Sequence, residues 1–170
     1  MGNKMKLSEK LVVVVIIGIL SSIGLSTFLG VINRTRLDVA ILQIQKSMEF
    51  SRIESITSGQ VETFCIKEQL GTVKIGNVSG GDCDEVTVWK TLSGVRIDTN
   101  NSSLRTSSGV AGNGGSIYRA SWAQTAAGYG ASWGQLGRIT ITAGNKRKCV
   151  FLKNIIGEIE VRQGKNCLRK

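Results

Sequence analysis

Between Leu11 and Ile32 the chain reads LVVVVIIGILSSIGLSTFLGVI, 22 residues without one charged side chain. As an α-helix this run rises about 33 Å, enough to cross a hydrocarbon core of about 30 Å. A secretory signal peptide has a shorter apolar region, about 7–15 residues, closed by small residues at a cleavage site; here the pattern leads straight into more helix. Leu37, Ala40, Ile41, Ile44 and Met48 recur at spacings of three and four, while Arg36, Asp38, Gln43, Gln45 and Lys46 fall elsewhere, so the rod continues as an amphipathic helix. Phe50, Ile53 and Ile56 extend its apolar content to Thr57-Ser58-Gly59, where a glycine stands in the position of a helix stop. From Leu7 to Ser58 the element measures about 75 Å by helical rise. The chain thus divides into a short cytoplasmic N-terminus at 1–10, a transmembrane helix at 11–32, an amphipathic stalk at 33–58 and a domain at 59–170.

Beyond Gly59 the helical period gives way to alternation and short β-branched runs: Val61–Ile66, Thr72–Ile75, Glu85–Trp89, Val95–Ile97, Ile117–Ser121, Arg138–Thr142, Lys148–Leu152 and Glu158–Val161. The fold class is α+β, one long helix with a small antiparallel sheet. Between Thr106 and Gly137 the chain is rich in Gly, Ser and Ala, which predicts a long surface excursion anchored by Trp122, Tyr129 and Trp133. Asn154-Ile155-Ile156-Gly157 reads as the turn of a C-terminal hairpin. With 21 Gly and no Pro, strands joined by many turns are the natural reading.

Four cysteines, Cys65, Cys83, Cys149 and Cys167, stand at two equal separations of 18 residues. No CxxC occurs and no His is present, so a metal centre would need four thiolates at an unusual spacing. Two disulfides are simpler, and they imply an oxidising compartment. The equal spacings and the C-terminal hairpin favour Cys65–Cys83 and Cys149–Cys167. Lys4, Lys6 and Lys10 flank one end of the apolar run and Arg34 and Arg36 the other, so charge bias barely sets the orientation and the cysteines set it instead, placing the domain outside. Without His there is no Ser-His-Asp or Cys-His pair, and the Gly-rich stretch lacks the GK[ST] ending of a phosphate loop, so neither an enzyme nor a cofactor is expected.

The balance of 22 Lys+Arg against 12 Asp+Glu persists beyond the anchor, with 19 basic and 11 acidic side chains on residues 33–170. Arg162, Lys165, Arg169 and Lys170 near the C-terminus, with Lys146, Arg147, Lys148 and Lys153 on the partner strand, form a candidate patch for an anionic ligand. Glu158 and Glu160 lie within it and would repel phosphates, and it lacks interleaved aromatic rings, so DNA binding is not favoured.

An apolar N-terminal helix that continues as a stalk into a small β domain resembles the type IV pilin architecture. Met5-Lys6-Leu7-Ser8-Glu9, ahead of the VVVVIIGILSSIGL run, occupies the place of the pilin start, with Glu9 at its fifth position. Phe50 to Gly59 followed by Val61-Glu62-Thr63-Phe64-Cys65 is similar to the helix end and first strand of the GspH/FimT family of minor pilins and pseudopilins. Gly137-Arg138-Ile139, Lys148-Cys149-Val150, Gly157 and Cys167 resemble that family's C-terminal block. The resemblance implies a type IV pilin-like subunit of a type II secretion pseudopilus or type IV pilus. It implies insertion in the bacterial inner membrane with a periplasmic domain, cleavage between Lys4 and Met5 by prepilin peptidase with methylation of the new terminus, and an inner-membrane assembly platform and other pilins as partners. It also gives Glu9 a role, pairing with the freed α-amino group of a neighbouring subunit. Lys4 stands where the family has glycine, which predicts slow processing, and Ser26 stands where it has proline. The different-class rival is a membrane-anchored extracytoplasmic module that captures an anionic ligand, such as DNA during uptake, without joining a filament.

Overall fold

The structure, a computed structural model, describes residues 7–106, 117–124, 130–132, 137–154 and 157–168; the side chains of Leu7, Glu9, residues 19–27, 105–106, Gln124 and residues 130–132 lie outside that description. One helix, α1 (Leu7–Ser58), carries 52 residues. It ends where Gly59 adopts φ +70°, a left-handed conformation that costs glycine nothing. Among the described side chains the first buried one is Leu37, and Leu37, Ala40, Ile41, Ile44 and Met48 form the seam against the domain. That seam continues as Ser51 and Ser55, both fully buried. Asn77 pins this polar stretch to the sheet: its Nδ2 donates to the Ser47 carbonyl and to Ser51 Oγ, while Ser47 Oγ donates to its Oδ1. Phe50 and Ile53, expected to extend the apolar stalk, point outward and remain exposed.

Ten strands follow among the described residues: β1 (Glu62–Gln69), β2 (Thr72–Ser79), β3 (Lys90–Leu92), β4 (Arg96–Ile97), β5 (Arg105–Thr106), β6 (Ile117–Gln124), β7 (Gly130–Ser132), β8 (Gly137–Ala143), β9 (Lys146–Leu152) and β10 (Ile159–Gln163). They build two antiparallel sheets rather than one: β3-β2-β1-β6-β5, with β7 also on β6, and β10-β9-β8-β4. The helix seam covers both, and one core joins it to Phe64, Ile66, Val73, Trp122, Ile139, Ile141 and Val150. The β1–β2 loop is Leu70-Gly71, both residues at positive φ, as a type I′ turn requires.

Two sequence expectations are corrected. Glu85–Trp89 is not a strand. A short 3₁₀ helix at Cys83–Glu85 leads into an extended segment that lies over the outer face of the first sheet, where Val86 packs on Cys65 and Ile117. Gly76 makes the close approach possible, since a Cβ there would sit 2.4 Å from Val86 Cγ1. The 106–137 stretch is also not simply a surface excursion. Its strand β6 pairs with β1 along six residues, and Ala120 and Trp122 are fully buried in the core. Tyr129 and Trp133 lie outside the described residues.

Candidate functional site

The N-terminal part of α1 projects from the domain. Leu11 to Ile17 and Phe28, Leu29 and Val31 all expose roughly half or more of their surface. An outer stripe of Val39, Leu42, Phe50 and Ile53 carries this apolar character past the domain, opposite the buried seam. Among the described residues no helix is long and apolar enough to cross a membrane; the side chains of residues 19–27, the middle of the apolar run, lie outside that set. Glu9 falls in the first turns of α1, and Lys4 and Met5 lie outside the described residues.

Both disulfides are present, Cys65–Cys83 and Cys149–Cys167. The first ties the 83–89 segment over β1. The second ties a short 3₁₀ turn, Gly164–Cys167, to β9 at the point where Arg162 of β10 pairs with Cys149. No group of three His, Cys, Asp or Glu is placed to hold a metal among the described residues.

The basic residues near the C-terminus separate into two environments. On one face of the β9–β10 hairpin they are neutralised. Arg162 makes a two-point contact with Glu160, Nε to Oε1 at 2.7 Å and Nη2 to Oε2 at 3.2 Å, and lies over the Phe151 ring. Lys153 reaches both Glu158 and Glu160. The hydrogen bond from Arg162, and then that from Lys153, hold the Glu160 carboxyl down at about 2. Arg162 is therefore already occupied, which removes it from the expected anion patch.

The other environment is a pocket of ≈ 750 Å³ at the base of the projecting helix. Arg34 and Leu37 of α1, residues 145–148 of the β8–β9 hairpin, and Gln163, Gly164, Lys165 and Leu168 line it, with no carboxylate among the described residues. Gly144 and Asn145 form the two-residue hairpin turn, with Gly144 alone at positive φ, the type II′ pattern. This turn rests against the helix: a Cβ on Gly144 would lie 2.8 Å from Asn33 Nδ2. Two of the lining residues are neutralised, Lys148 by Asp38 and Arg147 by Asp98. Arg34, Lys146 and Lys165 have no acidic partner among the described residues. Three cations without an acidic partner around one concave surface give it a positive potential, which would attract an anion. Lys165 and Lys146 are legible in the sequence as basic residues of one hairpin; Arg34 reads there only as a flank of the apolar run, because nothing in the sequence says that the hairpin tip returns to that turn of helix. Arg169 and Lys170 follow Leu168 and lie outside the described residues.

Comparison with protein-family models, with curated proteins and with solved structures finds no match.

Proposed function

We propose that the chain is a minor pilin or pseudopilin of the GspH/FimT kind, a type IV pilin-like filament subunit that serves a secretion pseudopilus or a pilus by assembly and not by catalysis. The observation that carries this reading is a single helix with its inner stripe buried on the domain and its outer stripe, Val39, Leu42, Phe50 and Ile53, uncovered in continuity with the exposed apolar residues nearer its start. A helix built this way has a use for neighbours of its own kind. Within the bilayer, association comes from packing and satisfied polar groups, not from escape from water. Outside it, each large apolar side chain fully covered contributes about 1.5–3 kcal/mol. Residues Leu11–Ile32 span the inner membrane in this reading, the domain lies on the periplasmic side, and prepilin peptidase and the assembly platform are the partners upstream of the filament.

Glu9 provides the test. A carboxylate at the apolar edge is costly unless paired, so Glu9→Ala should leave membrane insertion and both disulfides intact while incorporation into crosslinked or sheared filaments falls sharply. Equal incorporation of variant and wild type removes Glu9 from the mechanism. A second reading, an anchored module that captures an anionic ligand such as DNA and joins no filament, is favoured by the pocket of Arg34, Lys146 and Lys165. Absence of the wild-type chain from every crosslinked filament would decide for it.

A further inference from the structure

We propose that the pocket at the base of the helix holds the phosphate of an anionic phospholipid headgroup, seating the domain on the outer leaflet of the membrane its helix spans. The inference rests on the membrane-anchored reading above. Depth argues for a lipid. Arg34 lies two residues beyond Ile32, about 3 Å of helical rise past the last residue of the apolar run, and the headgroup layer occupies about 5–8 Å on each side of the hydrocarbon. The β8–β9 turn reaches the same level, because Gly144 rests against Asn33. Arg34, Lys146 and Lys165 therefore meet where lipid phosphates lie.

The lining argues the same way. Leu37 and Leu168 give the pocket apolar walls beside its cations, and Asn145 and Gln163 add amide donors. Charged donors on an apolar floor suit a headgroup with the start of its acyl chains. A pocket of ≈ 750 Å³ exceeds what a bare phosphate ion fills and lies within the range of small-molecule sites, about 300–1,000 Å³. Among the described residues no aromatic ring lines it, which gives no stacking platform of the kind that single-stranded nucleic acid uses. The position of Arg34 is itself accounted for, since cations beside the translocated end of a span run against the usual bias and a bound phosphate gives this one a partner.

The test uses the full chain, with a photoreactive benzophenone residue in place of Asn145, reconstituted into vesicles of phosphatidylcholine and phosphatidylglycerol at seven to three. Flotation with the vesicles is read first. Failure to float would overturn the anchored reading, and this inference with it. In floating protein, crosslinks to phosphatidylglycerol should exceed its share of the lipid severalfold. They should fall about fivefold for each charge removed by Arg34→Gln, Lys146→Gln or Lys165→Gln, in line with the attraction of one basic residue to an anionic surface. All three side chains are exposed, and intact disulfides by non-reducing peptide mapping confirm that each variant is folded. Crosslinking in simple proportion to lipid composition overturns the inference while leaving the anchor untouched. So does suppression of the crosslink by millimolar inorganic phosphate, which would make the ligand a free anion, or by a short DNA duplex, which would make it a nucleic acid.

Discussion

Gly157 closes the C-terminal hairpin at φ +78°, and a Cβ there would lie 2.4 Å from Trp122 Nε1, the indole at the centre of the core. Two separate costs therefore fall on Gly157→Ala: left-handed backbone strain of about 1–2 kcal/mol and overpacking of about 1–3 kcal/mol. Gly164 provides the control, with φ +64° and no atom within 4 Å of an added Cβ, so Gly164→Ala carries the strain alone. Thermal unfolding in detergent, followed by tryptophan fluorescence, should place Gly157→Ala well below Gly164→Ala; equal midpoints would mean that the indole moves aside freely. At Glu160 the expectation concerns protonation. Its carboxyl titrates at about 2 in the folded chain, against an ordinary 4.5, chiefly because Arg162 hydrogen bonds to it. The folded value is the lower one, so whatever this contact contributes is fully present above about pH 4.5 and is lost as pH falls through about 2. The carboxyl carbon resonance of Glu160 should titrate near that lower value in wild type and move toward the ordinary one in Arg162→Gln.

Among the elements, α1 is where sequence and structure meet most closely and also where they part. The seam from Leu37 to Met48 is legible because apolar residues at spacings of three and four have one physical meaning. Its continuation through Ser51 and Ser55 is not: Ser51 is satisfied by Asn77, which only the fold brings there, while Ser55 donates to the Arg52 carbonyl of its own helix and is buried by the sheet that covers it. Strand β6 shows the same limit. Ile117–Ser121 is legible as a strand, but IYRASWAQ looks too polar and too small for a core one; Ala120 and Trp122 are nonetheless fully buried, while Arg119 donates to the Gly81 carbonyl. Phe50 and Ile53, which in the sequence extend the apolar content of the stalk, belong with Val39 and Leu42 to the outer stripe, not to the inner one. A prediction follows from separating them. Leu42→Glu changes a half-exposed position and should alter domain stability by no more than about 0.5 kcal/mol, while Ile44→Ala, fully buried, should cost about 2–5 kcal/mol. Filament incorporation should respond to the first substitution even though stability does not. Normal incorporation of Leu42→Glu would exclude the outer stripe from subunit packing.

At the scale of the whole molecule, the two disulfides restrain different things, and removing them one at a time separates folding from the pocket. Each closes a segment of 18 residues, for which loop entropy gives about 3 kcal/mol of stabilisation, so on that ground alone the two should be equivalent. Their surroundings are not. Cys65 packs with Cys83, Val86 and Ile117 on the outer face of the first sheet, and its bond holds a cover over β1. Cys149–Cys167 holds the short turn that presents Lys165 and Leu168 to the basic pocket. The paired substitution Cys65→Ser with Cys83→Ser should therefore lower the unfolding midpoint and leave lipid crosslinking at the pocket near wild type, provided the measurement is made where the protein remains folded. Cys149→Ser with Cys167→Ser should lower the midpoint by a similar amount and reduce the crosslink as well, because Lys165 then loses its covalent tie and is positioned by the strand pairing of β10 and the hydrogen bond from Arg138 Nη1 to the Leu168 carbonyl. Mild reduction of the wild type, followed by alkylation and peptide mapping, offers the same comparison without mutation: crosslinking should be lost in step with the Cys149–Cys167 bond and not with the other. Loss that tracks Cys65–Cys83 instead would show that the pocket depends on the first sheet, and that the C-terminal turn is not what shapes it.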